Sequence, residues 1–86
     1  MIVHYQPSEL STARLGVVVA KRFAKQANQR NLVKRIVREQ FRRRRATLPA
    51  LDLVVRLNAP LAGATRAMIN DDIVQLLDRL QGQFQK

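Results

Sequence analysis

The 86-residue sequence predicts an α+β fold, a two-layer α/β sandwich in which helices cover a small β-sheet containing a β-α-β crossover. Three observations predict it. Short runs rich in β-branched residues stand at 2–6, 14–20 and 51–57. Two longer stretches, 28–45 and 66–84, repeat aliphatic residues at helical spacing. Along the chain these segments alternate as strand, strand, helix, strand, helix. A chain of this length makes one domain, residues 1–86, with a small core, because even about 60 residues bury only ~60% of the surface they expose when unfolded. At 47% hydrophobic and 26% charged residues it is too apolar for a disordered polycation.

The first run, "IVHYQ", meets the turn-prone "PSELSTA", and Pro7 is expected to end the strand because it lacks a ladder donor. "RLGVVVA" and "LDLVVRL" are nearly continuous apolar runs, as in strands covered on both faces. The helix between them suggests a crossover unit with the two strands parallel. "APLAGAT" reads as a loop. After it Ile69, Ile73, Leu76, Leu77, Leu80 and Phe84 mark one face of a helix from about residue 66 to 84, with Thr65 as its N-cap.

The formal charge of +10 is placed unevenly. Residues 21–45 hold eleven cations against Glu39 alone, and the other charges cancel. On a helical wheel at about 100° per residue, Leu32, Ile36, Gln40, Val33, Val37 and Phe41 fill an arc centred near ~50° from Ile36. Lys34, Arg45, Arg38, Asn31, Arg42 and Arg35 fill the opposite arc, from roughly 160° to 260°, with Arg30 on the border and Asn28 placed to cap the helix. A rod anchored by its aliphatic stripe holds these cations in place, so they meet a phosphate backbone without first losing the freedom of a floppy tail. Arginine outnumbers lysine eight to three in residues 21–45, which suits bidentate phosphate contact and base stacking. A polyanion, RNA best of all, is the expected partner. The alternative is a solvated face, but such a face normally mixes signs. Glu39 stands four residues from both Arg35 and Arg43, the spacing of helix-stabilising ion pairs.

"QRNLVKRIVREQFR", preceded by "GVVVAKR" and followed by "LPALDLVVR", closely resembles the RNR motif and flanking strands of the protein subunit of bacterial ribonuclease P. The resemblance is firm over residues 2–57 and general over the C-terminal helix. It implies a small basic subunit of a ribonucleoprotein that removes the 5′ leader from precursor tRNA. Arg30, Asn31, Lys34, Arg35 and Arg38 would face the catalytic RNA subunit, and Lys21, Arg22 and Lys25 would extend that surface, with Arg42 and Arg45 continuing the cationic row. The single-stranded leader of the precursor tRNA would lie in a cleft between the sheet and this helix, with Tyr5 and Phe23 as the nearby aromatics. Mg²⁺ held by the RNA partner would carry out the hydrolysis, the protein neutralising phosphates and raising local affinity for metal and substrate. The resemblance also implies a left-handed crossover, against the right-handed rule that holds in about 98% of cases. Family members usually begin with a further helix, whereas this chain starts at the strand "IVHY".

The residues agree in offering no catalytic set. There is no cysteine, which excludes disulfides and thiolate sites and suits a reducing, cytoplasmic setting. Asp71 and Asp72 are adjacent on a helix and so diverge by about 100°, and Asp52 opens a strand; a metal site needs carboxylates that converge. His4, the lone histidine, has no Ser or Asp at a suggestive spacing, and Ser8, Ser11 and Thr12 read as turn residues. No run approaches the ~20 apolar residues of a membrane span, so no membrane partner is expected. Two rival readings share the charge pattern. A generic, ribosomal-protein-like RNA-binding module would bind without favouring a catalytic RNA. A basic amphipathic helix can also lie on a membrane or bind calmodulin, but this one is needed to cover its neighbouring strands.

Overall fold

Alternation of inward and outward residues decides how the three strands are used. The computed structural model describes residues 1–61 and 63–84. Strand β1 (Ile2–Pro7) pairs antiparallel with β3 (Leu51–Arg56), and β2 (Arg14–Val18) pairs parallel with β3 on its other edge, giving the order β1-β3-β2. Helix α1 (Ala27–Arg44) makes the β2-to-β3 crossover, a short 3₁₀ turn (Arg45–Thr47) follows it, and α2 (Arg66–Gln83) closes the chain's second layer. The expected α+β sandwich is therefore present. Pro7 sits inside the strand rather than after it, in register with Leu51. Its neighbour Ser8 donates its N–H to Ala50, so by strand alternation the Pro7 nitrogen points away from β3, where β1 is the sheet edge and no donor is missed.

Both helices lie on one side of the sheet. Val33, Ile36 and Val37 of α1, Ile69, Ile73 and Leu77 of α2 and Val55 of β3 form one buried cluster, joined by the partly buried Val3, Leu15 and Val17. Phe41, Leu48, Leu51, Leu53 and Leu80 form a second beside it. The opposite face carries three cross-strand rows, Ile2–Arg56–Val18, His4–Val54–Gly16 and Gln6–Asp52–Arg14. Most of these residues are exposed. The strands at 14–20 and 51–57 are thus covered on one face, not both, and they are shorter than the apolar runs. Val18 and Val54 continue those runs but point to the open side, and both are exposed.

The helix ends differ in how well the sequence announces them. Thr65 caps α2 as expected, its hydroxyl oxygen accepting the Met68 N–H at 3.2 Å. Asn28 does not cap α1, since it lies within the helix and is exposed. Gln26 is the N-cap instead, with its N–H donated to Oε1 of Gln29 at 3.4 Å, one half of a capping box. Phe84 falls just past α2 and is exposed rather than buried, lying edge-on to Tyr5 at 5.7 Å between ring centres.

Candidate nucleic-acid interface

Helix α1 is tied down on one side and left free on the other. Val33, Ile36, Val37, Gln40 and Phe41 are its buried residues, matching the aliphatic arc of the wheel. Asn31, Arg35, Arg38 and Arg42 follow one another along the exposed side at helical spacing, and all four are exposed. Lys34, half-buried, flanks them. Arg35 and Arg38 make no ion pair among the described residues, so their five-donor guanidinium forks remain open to an outside acceptor.

Lys21, Arg22 and Lys25 are brought to the same end of the helix by the loop between β2 and α1. That loop is built, not slack: Phe23 and Ala24 donate to the Ala20 carbonyl, Leu61 donates to the Phe23 carbonyl, and Ala24 is buried. Arg30 holds it from the helix side, its Nη1 donating to the carbonyls of Ala24 at 3.0 Å and Lys25 at 2.9 Å. Arg30 is therefore first a structural clasp that presents Lys25 and the helix start together. Arg22 lies over the Phe23 ring at 4.7 Å, which occupies that aromatic face with a cation and leaves Lys21 and Lys25 as free charges.

The run Arg42–Arg45 splits in four directions. Arg42 pairs with Glu39 at 2.8 Å, and Arg43 approaches the same carboxylate at 3.7 Å. Glu39 thus pairs with Arg42 and Arg43, and not with Arg35 as one of its two spacings suggested. Arg45 is past the end of α1, in the 3₁₀ turn, where its guanidinium reaches Oγ1 of Thr12 at 3.5 Å. Its place on a continuous helical wheel is lost, because the backbone tightens before Leu48 turns inward to the core. Arg44 was missed altogether as a special residue. Its side chain is only 15% exposed, and it donates to the Gln40 carbonyl, to Gln40 Oε1 and to Asp78 on α2. The wheel held the signal: Arg44 falls about 80° from Ile36, within the aliphatic arc.

The cleft expected between sheet and basic helix is filled. Val33, Val37, Leu15 and Val17 belong to one packed cluster, so the accessible part of the sheet is the face away from α1. Tyr5 is on the helix side, its hydroxyl donating to Gln83 at 3.1 Å. On the open face Arg14 grips Asp52 through Nε at 2.8 Å and Nη2 at 2.9 Å, bridging β2 to β3. The Arg14 hydrogen bond holds the Asp52 carboxyl below the usual carboxylate range against the partial burial that opposes it, and Asp52 in turn raises the Arg14 guanidinium. His4 lies on this face and has no catalytic neighbour beside it in the cross-strand row. Among the described residues no group of three or more His, Cys, Asp or Glu side chains converges, and no helix is long and apolar enough to cross a membrane.

Residues 1–81 match the family model described as Ribonuclease P. The chain is 66% identical over 80 residues to the ribonuclease P protein component of Aromatoleum aromaticum, covering 93% of this chain and 67% of that one. It is 63% identical over 79 residues to the corresponding component of an Azoarcus species, covering 92% and 66%. The chain thus spans about two thirds of the length of these relatives. Its fold superposes on the Staphylococcus aureus RNase P protein with a TM-score of 0.80 at 28% identity, over 91% of this chain and 72% of that one.

Proposed function

The chain belongs to the ribonuclease P protein family, and from that premise we propose that it binds the catalytic RNA subunit and precursor tRNA and so assists endonucleolytic removal of the 5′ leader. One observation carries this reading. Asn31, Lys34, Arg35 and Arg38 form a pre-ordered strip on α1, supported beneath by Val33, Ile36 and Val37, with no ion pair among the described residues to compete for Arg35 or Arg38. The helix backbone that carries these side chains is ordered before the RNA arrives, so only side-chain freedom is lost on binding. Lys21 and Lys25 extend the strip at its N-terminal end, Arg42 and Arg45 at its C-terminal end.

The protein's part is electrostatic. A strip of guanidinium and ammonium groups repels divalent cations, and no convergent carboxylate set among the described residues could hold one. Mg²⁺ therefore belongs to the RNA in this proposal and supplies the hydrolytic chemistry there. The protein neutralises phosphates that would otherwise keep the RNA and the precursor tRNA apart. The open sheet face, on the far side from α1, is the surface left for the leader.

The test is 5′-leader cleavage of a precursor tRNA by a bacterial ribonuclease P RNA at low Mg²⁺, with and without this chain. Strong stimulation is expected. Tight binding without preference for that RNA over other folded RNA at matched salt, and no stimulation, would reduce the chain to a general RNA-binding module.

A further inference from the structure

A groove of about 710 Å³ runs between α1 and α2 and meets the outward strip at Arg35. Arg35 and Arg43 line it from α1 and Arg66 from the first turn of α2, with Glu39, Asn70 and Gln40 between them. Its one carboxylate, Glu39, is already engaged by Arg42 and Arg43. Arg66 is exposed and has no ion pair among the described residues.

The polar floor of this groove is oriented by a chain of hydrogen bonds with only one consistent direction. Arg44 can only donate, so the Gln40 atom facing its Nη1 at 2.8 Å is Oε1. Gln40 must then present Nε2 to its other partner, the Asn70 oxygen, at 2.8 Å. Gln40 is 5% exposed and fully engaged, so it cannot flip without stranding a buried group. Asn70 is consequently fixed with its NH₂ as the remaining group, and among the described residues no acceptor is set against it. Three guanidinium groups and one amide NH₂ thus face a groove whose only anion is already paired. Such a site offers donors and lacks free acceptors, the complement of a ligand that only accepts. A non-bridging phosphodiester pair is that ligand.

We propose that the α1–α2 groove seats a phosphodiester of the RNA partner, held by Arg35, Arg43, Arg66 and the Asn70 amide. The RNA-binding surface then turns the corner from α1 onto the C-terminal helix, and α2 is a contact element as well as a core element. This inference rests on the RNA-binding reading above. A protein partner with a lone carboxylate would satisfy one guanidinium but not a site three arginines wide.

The test uses the full chain and a bacterial ribonuclease P RNA transcript, measuring affinity across a salt series for wild type, Arg66→Ala, Asn70→Asp and Arg79→Ala. Asn70→Asp keeps the oxygen that Gln40 needs and replaces the free donor with an anion. Arg79 is exposed on α2 outside the groove and controls for net charge. Arg66→Ala should bind about tenfold more weakly and lower the salt slope by roughly 0.7 to 0.9, one phosphate contact. Asn70→Asp should lose at least as much, with a melting temperature near wild type, and Arg79→Ala should match wild type. If wild type binds selectively while Arg66→Ala and Asn70→Asp bind equally well, the groove proposal fails and the RNA reading stands. If Arg79→Ala loses as much as Arg66→Ala, the effect is general charge and the groove proposal again fails. If wild type shows no selective binding, the RNA reading itself falls, and the groove proposal with it.

Discussion

Replacing Arg44 by Ala should destabilise the fold, whereas replacing Arg38 by Ala should not, although both sit in the same cationic helix. Arg44 spans α1 and α2 and satisfies Oε1 of Gln40, a residue only 5% exposed. Stranding that acceptor costs about 1–3 kcal/mol. The contacts to Asp78, at 2.8 and 3.0 Å, add about 0–1 kcal/mol, because Asp78 is 59% exposed and solvent screens it. The total is about 1–4 kcal/mol. A domain of this size loses roughly 4–8 °C of melting temperature per kcal/mol, so Arg44→Ala should melt at least roughly 4 °C, and about 15 °C at the middle of that range, below wild type by circular dichroism. Most of the loss is a buried hydrogen bond, so it should persist in ~1 M salt, where the Debye length is only about 3 Å. Arg38→Ala removes an exposed side chain without an ion pair among the described residues and should stay within about 0.5 kcal/mol of wild type. A melting temperature for Arg44→Ala within roughly 4 °C of wild type, or a loss that vanishes in high salt, would refute the assignment of Arg44 as a buried clasp.

Three further outcomes can be measured directly. Arg38→Ala should weaken binding to the ribonuclease P RNA and lower its salt slope by roughly 0.7 to 0.9, and an unchanged slope would remove Arg38 from the phosphate contacts. Asp52→Asn should destabilise at neutral pH: the Asp52 carboxyl is held low in the fold by Arg14, so its contribution is present above the usual carboxylate range and is lost as pH falls through the lowered value. The gap between wild-type and Asp52→Asn melting temperatures should therefore close in acid, and a gap independent of pH would contradict the pairing. Thr65→Ala should cost about 1 kcal/mol in urea unfolding by removing the cap of α2, with Thr65→Ser close to neutral; equal losses in both would point to the methyl group instead.

The sequence made the element order and the cationic strip readable because both depend on local periodicity. Leu32 to Phe41 spell one arc, and nothing distant was needed to place Arg35 and Arg38 opposite it. The open sheet face was not readable. Val18 and Val54 look like core residues within their runs, and only the placement of both helices on one side exposes them. The α1 cap went to Gln26 rather than Asn28 because loop 19–26, tied by Arg30 and Leu61, delivers the chain to the helix two residues early. The groove arginine Arg66 was equally invisible, since its partners on α1 lie more than twenty residues away in sequence.

The arginine run shows why charge counting overstates a binding surface. Consecutive helical residues point about 100° apart, so three in a row must reach three sectors, and on a helix with a wide apolar arc at least one of them must enter it. An arginine buried there persists only if acceptors meet it. Gln40 and Asp78 do so for Arg44, and that engagement in turn orients Gln40 and, through it, Asn70. Arg42 and Arg43 share Glu39, whose pairs are exposed and so exchange readily for a phosphate. Arg45 sits beyond the helix end. Of the four, one is committed to the fold, two are held in reserve by a weak competitor, and one answers to the loop at Thr12. The stretch that looks most cationic therefore contributes fewer free charges than Arg35 and Arg38, which stand apart from other arginines and have no ion pair among the described residues.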